Sequence, residues 1–156
     1  LGTNCVTVYK DGEPVKAMIC SPSTKTPVGT FYTPVKYRWH EMIGNCYAQY
    51  CTRITGGILF HSVWYYKNGD KSTMSVSAYN VMGNKASHGC VRLLCKDAKW
   101  IYDKCALKTK VILLNWNLGP QTSTSRLLKE EVGWHIDLGV ECAAEKNLMN
   151  KICRPL

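Results

Sequence analysis

The chain has 156 residues and a formal net charge of +9, with 46% hydrophobic and 20% charged residues. This length fits one domain, and the composition is that of a globular protein rather than a disordered or collagen-like one. No apolar run approaches the about 20 residues of a membrane-spanning helix, so no span is predicted in this chain. Because the chain begins at Leu1 rather than at a Met, we expect any signal or anchor to lie outside it.

The excess of positive charge is confined to residues 1–118, which hold 15 Lys and Arg against 6 Asp and Glu. Residues 119–156 hold five of each sign. A basic body indicates an anionic partner such as a cell-wall polymer, a membrane surface or nucleic acid, although solubility alone would also explain it. No helix-turn-helix, zinc finger or aromatic-basic RNA motif accompanies the charge, so we do not predict nucleic-acid binding.

Nine cysteines are an unusually high and odd number for this length: Cys5, Cys20, Cys46, Cys51, Cys90, Cys95, Cys105, Cys142 and Cys153. Such usage favours an exterior compartment in which several form disulfides, with at least one thiol left over. The closest pairs, Cys46/Cys51 and Cys90/Cys95, are wider than the Cys-x2-Cys pairs common in zinc frameworks. We therefore predict no metal site.

The first third of the chain is predicted to be strands and loops. Residues Cys5 to Tyr9 alternate in polarity, Lys10 to Glu13 suit a hairpin turn, and Val15 to Ile19 resume an extended run. The segment Ser21 to Gly29 is rich in Ser, Thr and Pro and predicts a loop. A further strand is predicted over Thr30 to Val35.

The middle of the chain predicts two more strands and a polar connection. Tyr47 to Ile54 and Ile58 to Val63 are rich in aromatic and branched residues and are separated by two glycines. Lys67 to Lys71 is a polar turn, and one short helical turn is predicted near Ser77 to Asn80.

The last third predicts one helix, one strand and an extension. Apolar residues at helical spacing predict a helix over Asp97 to Asp103, with Asp97 as its N-cap. The apolar run Val111 to Leu114 suits a buried central strand. A linker is predicted over Gln121 to Ser125, followed by an amphipathic helix over about Glu141 to Cys153 that packs back on the body rather than on a partner.

The residues with the clearest chemical content form the run Ser87-His88-Gly89-Cys90-Val91-Arg92-Leu93. A free Cys titrates near about 8.5, so a nucleophilic thiol needs a base and a cation nearby, and this run supplies both types. Taken alone, Cys90 could instead be a buried structural thiol or half of a disulfide. Similarly, His61 ends an apolar strand before a loop, where it could enter a cleft or remain a core histidine.

Together with Thr26 to Phe31, Leu59 to Ser62 and Asp97 to Trp100, this run resembles the L,D-transpeptidase catalytic domain, also called the YkuD domain. The resemblance covers roughly Thr3 to Asn115. It implies a mainly β sandwich or barrel-like domain over residues 1–118, with one short helix after the cysteine. Residues 119–156 show no match to the family and are predicted to be a linker and a helical C-terminal extension. The 25 residues between His61 and Ser87 are a longer gap than in many family members, so Lys67 to Asn80 could be an inserted lid that alters acceptor choice.

The resemblance also implies the roles of the central residues. Cys90 would be the nucleophile and His61 the general base, with the backbone carbonyl of Ser62 orienting the imidazole. Backbone N–H groups of His88, Gly89 and Cys90 would form the oxyanion hole that stabilises a tetrahedral intermediate.

Around these residues the resemblance places supporting side chains and a groove. Ser87 and His88 would support the site, while Arg92 would either steer a substrate carboxylate or hold the loop. Aromatic residues on the neighbouring strands could line a substrate groove, although aromatic residues on strands are often core. These candidates are Tyr47, Tyr50, Trp64 and Tyr65, with Tyr66 beside them.

The implied function is extracytoplasmic, in the cell wall or secreted, with peptidoglycan stem peptides as donor and acceptor and no cofactor. The enzyme would form 3-3 crosslinks by cysteine acyl transfer, releasing the terminal D-alanine of a tetrapeptide stem. Carbapenems would be possible covalent inhibitors at Cys90, and anionic wall polymers possible partners. The alternatives are an L,D-carboxypeptidase or another wall-directed thiol peptidase on the same site, or a non-catalytic wall-binding module.

Overall fold

The computed structural model describes residues 4–114 and 134–138. The strands are β1 Cys5–Lys10, β2 Glu13–Ser21, β3 Gly29–Tyr32, β4 Lys36–Met42, β5 Cys46–Thr55, β6 Ile58–Ser62, β7 Val91–Leu93, β8 Lys110–Leu113 and β9 Trp134–Leu138. The helices are α1 Val76–Asn80 and α2 Cys95–Lys104, and a short 3-10 turn spans Lys71–Thr73. The predicted mainly β class, with a short helix after the cysteine, is confirmed.

The strands form one sheet in the order β3-β8-β9-β1-β2-β7-β6-β5-β4. Neighbours are antiparallel except for two parallel pairs, β6 with β7 and β8 with β9. The predicted strands at both ends of the first hairpin and on either side of Gly56-Gly57 are confirmed, whereas β4, β7 and β9 were not predicted. The first hairpin turns at Asp11 and Gly12, whose φ values of 52° and 79° suit a two-residue turn of the primed type.

The helix after the cysteine begins earlier than predicted. Leu94 is its N-cap and makes no side-chain capping bond, so the prediction of Asp97 as N-cap was wrong. Asp97 instead lies in the first turn, where a carboxylate is favoured by the helix dipole, and is buried with Lys16 Nζ at 3.6 Å. Ala98 and Ile101 on the same helix are fully buried in the main core.

That core lies between one face of the sheet and α2. It joins residues from β1, β2, β5, β6, β7, β8 and β9 with the apolar face of the helix, including Val6, Met18, Phe60, Val91, Ile101 and Ile136. The opposite face of β5 and β6 carries a second, smaller cluster of Ala48, Cys51 and Leu59, against which Cys90 packs. This second face is the one on which the candidate site lies.

Strand β9 falls in the segment for which only a linker and a helix were predicted. It pairs antiparallel with β1 and parallel with β8, and Ile136 is fully buried. Strand β8 therefore lies inside the sheet. Only every second residue of it, Val111 and Leu113, is buried, so the predicted continuous burial is not seen. The linker predicted over Gln121 to Ser125 and the helix predicted over Glu141 to Cys153 lie outside the described residues.

Disulfides were expected, but none joins two of the seven cysteines within the described residues. Cys142 and Cys153 lie outside them. Within residues 4–114 and 134–138, no helix has the length and apolar content required to cross a membrane.

Candidate active site

The pairing of β6 with β7 brings the two sequence motifs together. Phe60 lies beside Val91, and His61 beside Arg92, in parallel register. Phe60 and Val91 are both in the main core, and successive side chains on a strand point to opposite faces. His61 and Arg92 therefore face the other side of the sheet, as does Cys90, which immediately precedes β7.

His61 is held in one orientation by its neighbour. The side chain is 3% exposed, and its Nδ1 lies 2.6 Å from the carbonyl oxygen of Ser62. A carbonyl can only accept, so Nδ1 carries the proton and Nε2 keeps its lone pair. Burial lowers the pKa of His61 to about 4, and the positive charges of Arg92 and His40 act in the same direction, while the Ser62 hydrogen bond opposes them. The imidazole is neutral at pH 7 and able to accept a proton.

Cys90 is half-buried and protonated in the resting structure. Its Sγ donates to the Gly57 carbonyl oxygen at 3.4 Å. Burial raises the pKa of the Cys90 thiol, and this outweighs a hydrogen bond from the Leu59 backbone and the charge of Arg92, which both lower it. The site therefore pairs a neutral thiol with a neutral base, not a thiolate with an imidazolium.

The segment before Cys90 is a tight loop closed by its own side chains. Ser87 Oγ donates to the Cys90 carbonyl oxygen at 2.5 Å and accepts from the Gly89 N–H at 3.2 Å. From the adjacent loop, Thr26 Oγ1 donates to the Gly89 carbonyl at 2.8 Å. Gly89 has φ +141°, and a Cβ there would lie 2.9 Å from Ile58 Cδ1, so glycine is required.

Of the three N–H groups predicted for an oxyanion hole, that of Gly89 is thus engaged by Ser87. An oxyanion at this position would have to rely on the N–H groups of His88 and Cys90, unless the Ser87 hydroxyl turns away.

Arg92 binds the loop before β7 through one donor and leaves another donor unpaired among the described residues. It is 7% exposed, and its Nη2 donates to the Ala86 carbonyl oxygen at 3.0 Å. Its Nε is buried and has no hydrogen-bond partner among the described residues. Burial raises the pKa of the Cys46 and Cys90 thiols, and the positive charge of the guanidinium partly opposes both shifts. An anion entering the cleft would meet this charge.

His61, Cys90 and Arg92 open into one cleft of about 570 Å³. One wall is the β4–β5 hairpin, residues 40–46, and another carries Ser87 and His88. Gly57 to Leu59 complete the lining, together with Trp64 and Tyr66. The cleft is large enough for a peptide segment of several residues.

Three of the four aromatic residues predicted for a groove are not among those that line this cleft. Only Trp64 is, together with its 61%-exposed neighbour Tyr66. Tyr50 is buried and packs edge-to-face on Tyr102 of α2, with ring centroids 5.6 Å apart. Tyr65 is 3% exposed, and Tyr47 exchanges backbone hydrogen bonds with it.

No three His, Cys, Asp or Glu side chains in the described part of the chain are grouped so that they could hold a metal ion.

A family model described as the L,D-transpeptidase catalytic domain matches residues 1–113. The chain belongs to this family. The matched segment contains every residue that lines the cleft, so the site lies within the L,D-transpeptidase domain.

Known relatives agree with this assignment. A Bacillus subtilis (strain 168) protein named "Putative L,D-transpeptidase YciB" is 40% identical over 92 residues, which are 56% of this chain and 46% of that protein. An L,D-transpeptidase from Mycobacterium smegmatis shares the fold with a TM-score of 0.59 at 24% identity, over 72% of this chain and 55% of that one.

A third relative was solved with a bound compound. It is L,D-transpeptidase 3 from Mycobacterium tuberculosis in complex with a faropenem-derived adduct, with a TM-score of 0.51 and 26% identity over 64% of this chain and 45% of that one. The present chain spans about half the length of these relatives.

Sequence analysis missed the hairpin that forms one wall of the L,D-transpeptidase cleft. It contributes His40, Met42 and Cys46 to the lining. A signal was present, because Gly44 and Asn45 separate two β-prone runs, and both adopt positive φ, 94° and 53°. The lid predicted over Lys67 to Asn80 contributes no residue to the lining.

Proposed function

We propose that this protein is a peptidoglycan L,D-transpeptidase that uses Cys90 as its nucleophile. One observation carries the proposal: a neutral His61, locked through Nδ1 to the Ser62 carbonyl, shares a cleft with a protonated thiol. General-base activation of a thiol requires this combination of a fixed tautomer and an available lone pair. The family match supports the reaction class.

In the first half-reaction, Cys90 Sγ attacks the carbonyl of the third residue of a tetrapeptide stem, and its proton passes to His61 Nε2. The backbone N–H groups of His88 and Cys90 would stabilise the oxyanion that forms. The bond to the terminal D-alanine then breaks, and the proton on His61 passes to the leaving amine. The products are a thioester on Cys90 and D-alanine.

In the second half-reaction, the side-chain amine of a second stem attacks the thioester carbonyl while its proton moves to His61. The Cys90 thiolate leaves and is reprotonated, and the product is a 3-3 crosslink. If water attacks instead, the product is a tripeptide stem and the enzyme acts as an L,D-carboxypeptidase. Both routes use the same residues, so the products decide between them.

The surroundings of the reaction follow from the proposed substrate. The enzyme would act outside the cytoplasm, where the net charge of +9 favours contact with anionic wall polymers. A β-lactam of the carbapenem or penem class would acylate Cys90, a suggestion supported by the faropenem-derived adduct in the Mycobacterium tuberculosis relative.

The test is intact-protein mass spectrometry on the reduced protein mixed with a disaccharide-tetrapeptide. We expect a transient acyl adduct and released D-alanine in the wild type, neither with Cys90→Ala, and both with Cys46→Ala, which removes the other thiol of the cleft lining. A dimeric product would indicate a transpeptidase, and a tripeptide would indicate a carboxypeptidase. Absence of both adduct and D-alanine in the wild type would favour a wall-binding module or another scissile bond.

A further inference from the structure

A short turn, residues 22–26, lies against the loop that leads to the nucleophile, residues 86–90. The Pro22 carbonyl oxygen accepts from the Ala86 N–H at 3.1 Å and from the Ser87 N–H at 3.4 Å. These bonds fix where the loop begins, but they involve none of the N–H groups expected to stabilise an oxyanion. The last residue of the turn makes a second contact, nearer to the nucleophile.

The Thr26 hydroxyl makes this second contact, and its direction is fixed. Its Oγ1 accepts from the Ser23 N–H at 2.9 Å and lies 2.8 Å from the Gly89 carbonyl oxygen. A carbonyl oxygen can only accept, so the hydroxyl hydrogen points at Gly89. The Thr26 N–H closes the turn by donating to the Ser23 carbonyl at 3.1 Å. The hydroxyl is therefore held by its own turn and not by the loop that it contacts.

The acceptor of this bond belongs to the peptide group that carries the Cys90 N–H. The Gly89–Cys90 peptide is trans, so its C=O and N–H point in opposite directions. A donor that fixes the carbonyl therefore also fixes the N–H on the other side of the same plane. Hydrogen bonds to one peptide group polarise one another, so the contact with Thr26 also strengthens this N–H as a donor.

The glycine makes such a restraint necessary, because a peptide next to glycine rotates more freely than others. The Ser87 hydroxyl accepts from the Gly89 N–H at 3.2 Å and donates to the Cys90 carbonyl at 2.5 Å. Those two groups belong to the peptides before and after the Gly89–Cys90 plane. Ser87 thus restrains the two flanking planes, and Thr26 restrains the plane between them.

We propose that Thr26 is a positioning residue for the oxyanion hole: its hydroxyl sets the plane of the Gly89–Cys90 peptide so that the Cys90 N–H stays aimed at the developing oxyanion. This inference rests on the proposed function for its kinetic consequence, whereas the contact itself belongs to the resting protein. Thr26 is not among the residues that line the cleft, so its effect passes through the peptide and not through contact with the substrate.

The physical consequence appears when the oxyanion forms. Without the hydroxyl, the peptide plane can rotate, and the Cys90 N–H then donates in a poorer direction. Removing one oxyanion donor outright costs about 10²–10³ in rate, so a donor that is present but misaligned should cost less, roughly tenfold. The oxygen carries little charge before Cys90 attacks, so the half-saturating concentration of an acylating compound should stay unchanged.

The experiment compares Thr26→Val, which exchanges the hydroxyl for a methyl group, with Thr24→Val, the same change at an exposed position of the same turn. Acylation by a carbapenem is followed by intact-protein mass spectrometry over a range of concentrations. For Thr26→Val we expect a maximal rate roughly tenfold lower and an unchanged half-saturating concentration. Thr24→Val should keep both wild-type values, and Thr26→Ser, which retains a hydroxyl, should keep most of the wild-type rate.

Alkylation separates an effect on the oxyanion hole from a general displacement of the nucleophile. Iodoacetamide reacts with the Cys90 thiolate by displacement of iodide at carbon, and no oxyanion forms. We therefore expect Thr26→Val to be alkylated at Cys90 at the wild-type rate, measured at one pH by peptide-resolved mass spectrometry. An equal fall in the rates of acylation and alkylation would mean that the whole loop has moved, and would overturn the proposed role.

A third readout requires no reaction. The ¹³C chemical shift of the Gly89 carbonyl in the reduced, substrate-free protein reports whether that oxygen accepts a hydrogen bond. It should change in Thr26→Val and remain at the wild-type value in Thr24→Val. If Thr26→Val does not fold, Thr26→Ala removes the same hydroxyl without placing a methyl group against the carbonyl, and should give the same three results.

An unchanged Gly89 carbonyl shift or an unchanged maximal rate of acylation in Thr26→Val would overturn the positioning role. A higher half-saturating concentration with an unchanged maximal rate would place Thr26 in substrate binding instead. If the carbapenem does not acylate even the wild type, the proposed function fails in that arm, while the carbonyl shift still tests whether Thr26 fixes the peptide.

Discussion

Burial acts on His61 and Cys90 in the same direction, because it disfavours the charged form of each. The pKa of the imidazole falls to about 4 and that of the thiol rises. Arg92 adds to the effect on His61 and opposes the effect on Cys90. The resting pair is therefore neutral, and the thiolate forms only when a proton is transferred during the reaction.

A neutral pair predicts slow alkylation of Cys90 at neutral pH. The rate of modification by iodoacetamide should rise with pH, with a midpoint above the about 8.5 of an ordinary thiol. Peptide-resolved mass spectrometry would follow Cys90 separately from the other cysteines, with Cys90→Ala as the control for assignment. Rapid, pH-independent alkylation between pH 5 and 8 would show instead a thiolate paired with an imidazolium.

The lowered pKa of His61 also predicts acid sensitivity of the fold. The ordinary value is 6.5, so the unfolded chain binds a proton that the folded one rejects until about pH 4. The contribution of the neutral His61 to the free energy of unfolding is fully present above about pH 6.5 and is lost as the pH falls from there towards 4.

From pH 7.5 to 5, this group alone should lower the free energy of unfolding by about 2 kcal/mol. Urea unfolding at the two pH values should show a larger decrease in the free energy of unfolding for the wild type than for His61→Gln. An equal decrease in the two proteins would contradict a lowered pKa of His61 in the folded protein.

At the scale of elements, the parallel pair β6 and β7 and the loop before β7 decide where the thiol lies. The loop turns through Gly89 at φ +141° against Ile58, and is closed by the Ser87 hydroxyl and by Thr26. The β4–β5 hairpin also lines the cleft. The chemistry of Cys90 thus depends on three segments that are distant in sequence.

Gly89→Ala should therefore impair acylation more than it impairs folding. An alanine is strained at φ +141°, and its Cβ would also displace the end of the Ile58 side chain, so we expect the loop to relax and move Cys90. Gly69→Ala is the matched control, since it shares a positive φ of 75° but meets no atom within 4 Å and lies outside the cleft lining. We expect at least tenfold slower acylation for Gly89→Ala, about the effect of a 1.4 kcal/mol rise in the barrier, and wild-type rates for Gly69→Ala. Equal rates in the two variants would argue against a role for the loop geometry.

At the scale of the molecule, the sheet continues from the catalytic strands through β2 and β1 to β9, a strand supplied from beyond the matched residues 1–113. Strand β9 separates β1 from β8, so without it both would present unpaired edges at that point. Its one described side chain, Ile136, is fully buried in the same core as Phe60 and Val91. The stability of the site's scaffold therefore depends on this strand.

Ile136→Ala should destabilise the protein by about 2–5 kcal/mol, because it removes buried methylene groups and leaves a cavity in the core. Ile43→Ala makes the same chemical change at the tip of the β4–β5 hairpin, where Ile43 is 89% exposed, and should cost less than about 0.5 kcal/mol. Urea unfolding measures both. A small effect at Ile136 would mean that β9 does not contribute to the core.

Local patterns indicated most of the strands and the two motifs at the centre of the site, and the family resemblance of those motifs implied the class of the fold. Alternation of polarity is a property of a single strand, and the run from Ser87 to Leu93 is contiguous, so both can be recognised without knowledge of the rest of the chain. The short strand β7 was missed because its three residues are too few to show a period. Strand β9 was missed although its five residues alternate between apolar and polar, because only a linker and a helix were predicted for this part of the chain.

The tertiary structure alone decided which side chains line the cleft and which are buried elsewhere. Tyr65 and Trp64 are adjacent and both aromatic, yet Tyr65 is buried and does not line the cleft, whereas Trp64 does. The same holds for protonation, because the pKa shifts of His61 and Cys90 are caused mainly by burial, which no local pattern encodes. Chemical identity is carried by single residues, whereas orientation and desolvation arise from contacts between segments far apart in the chain.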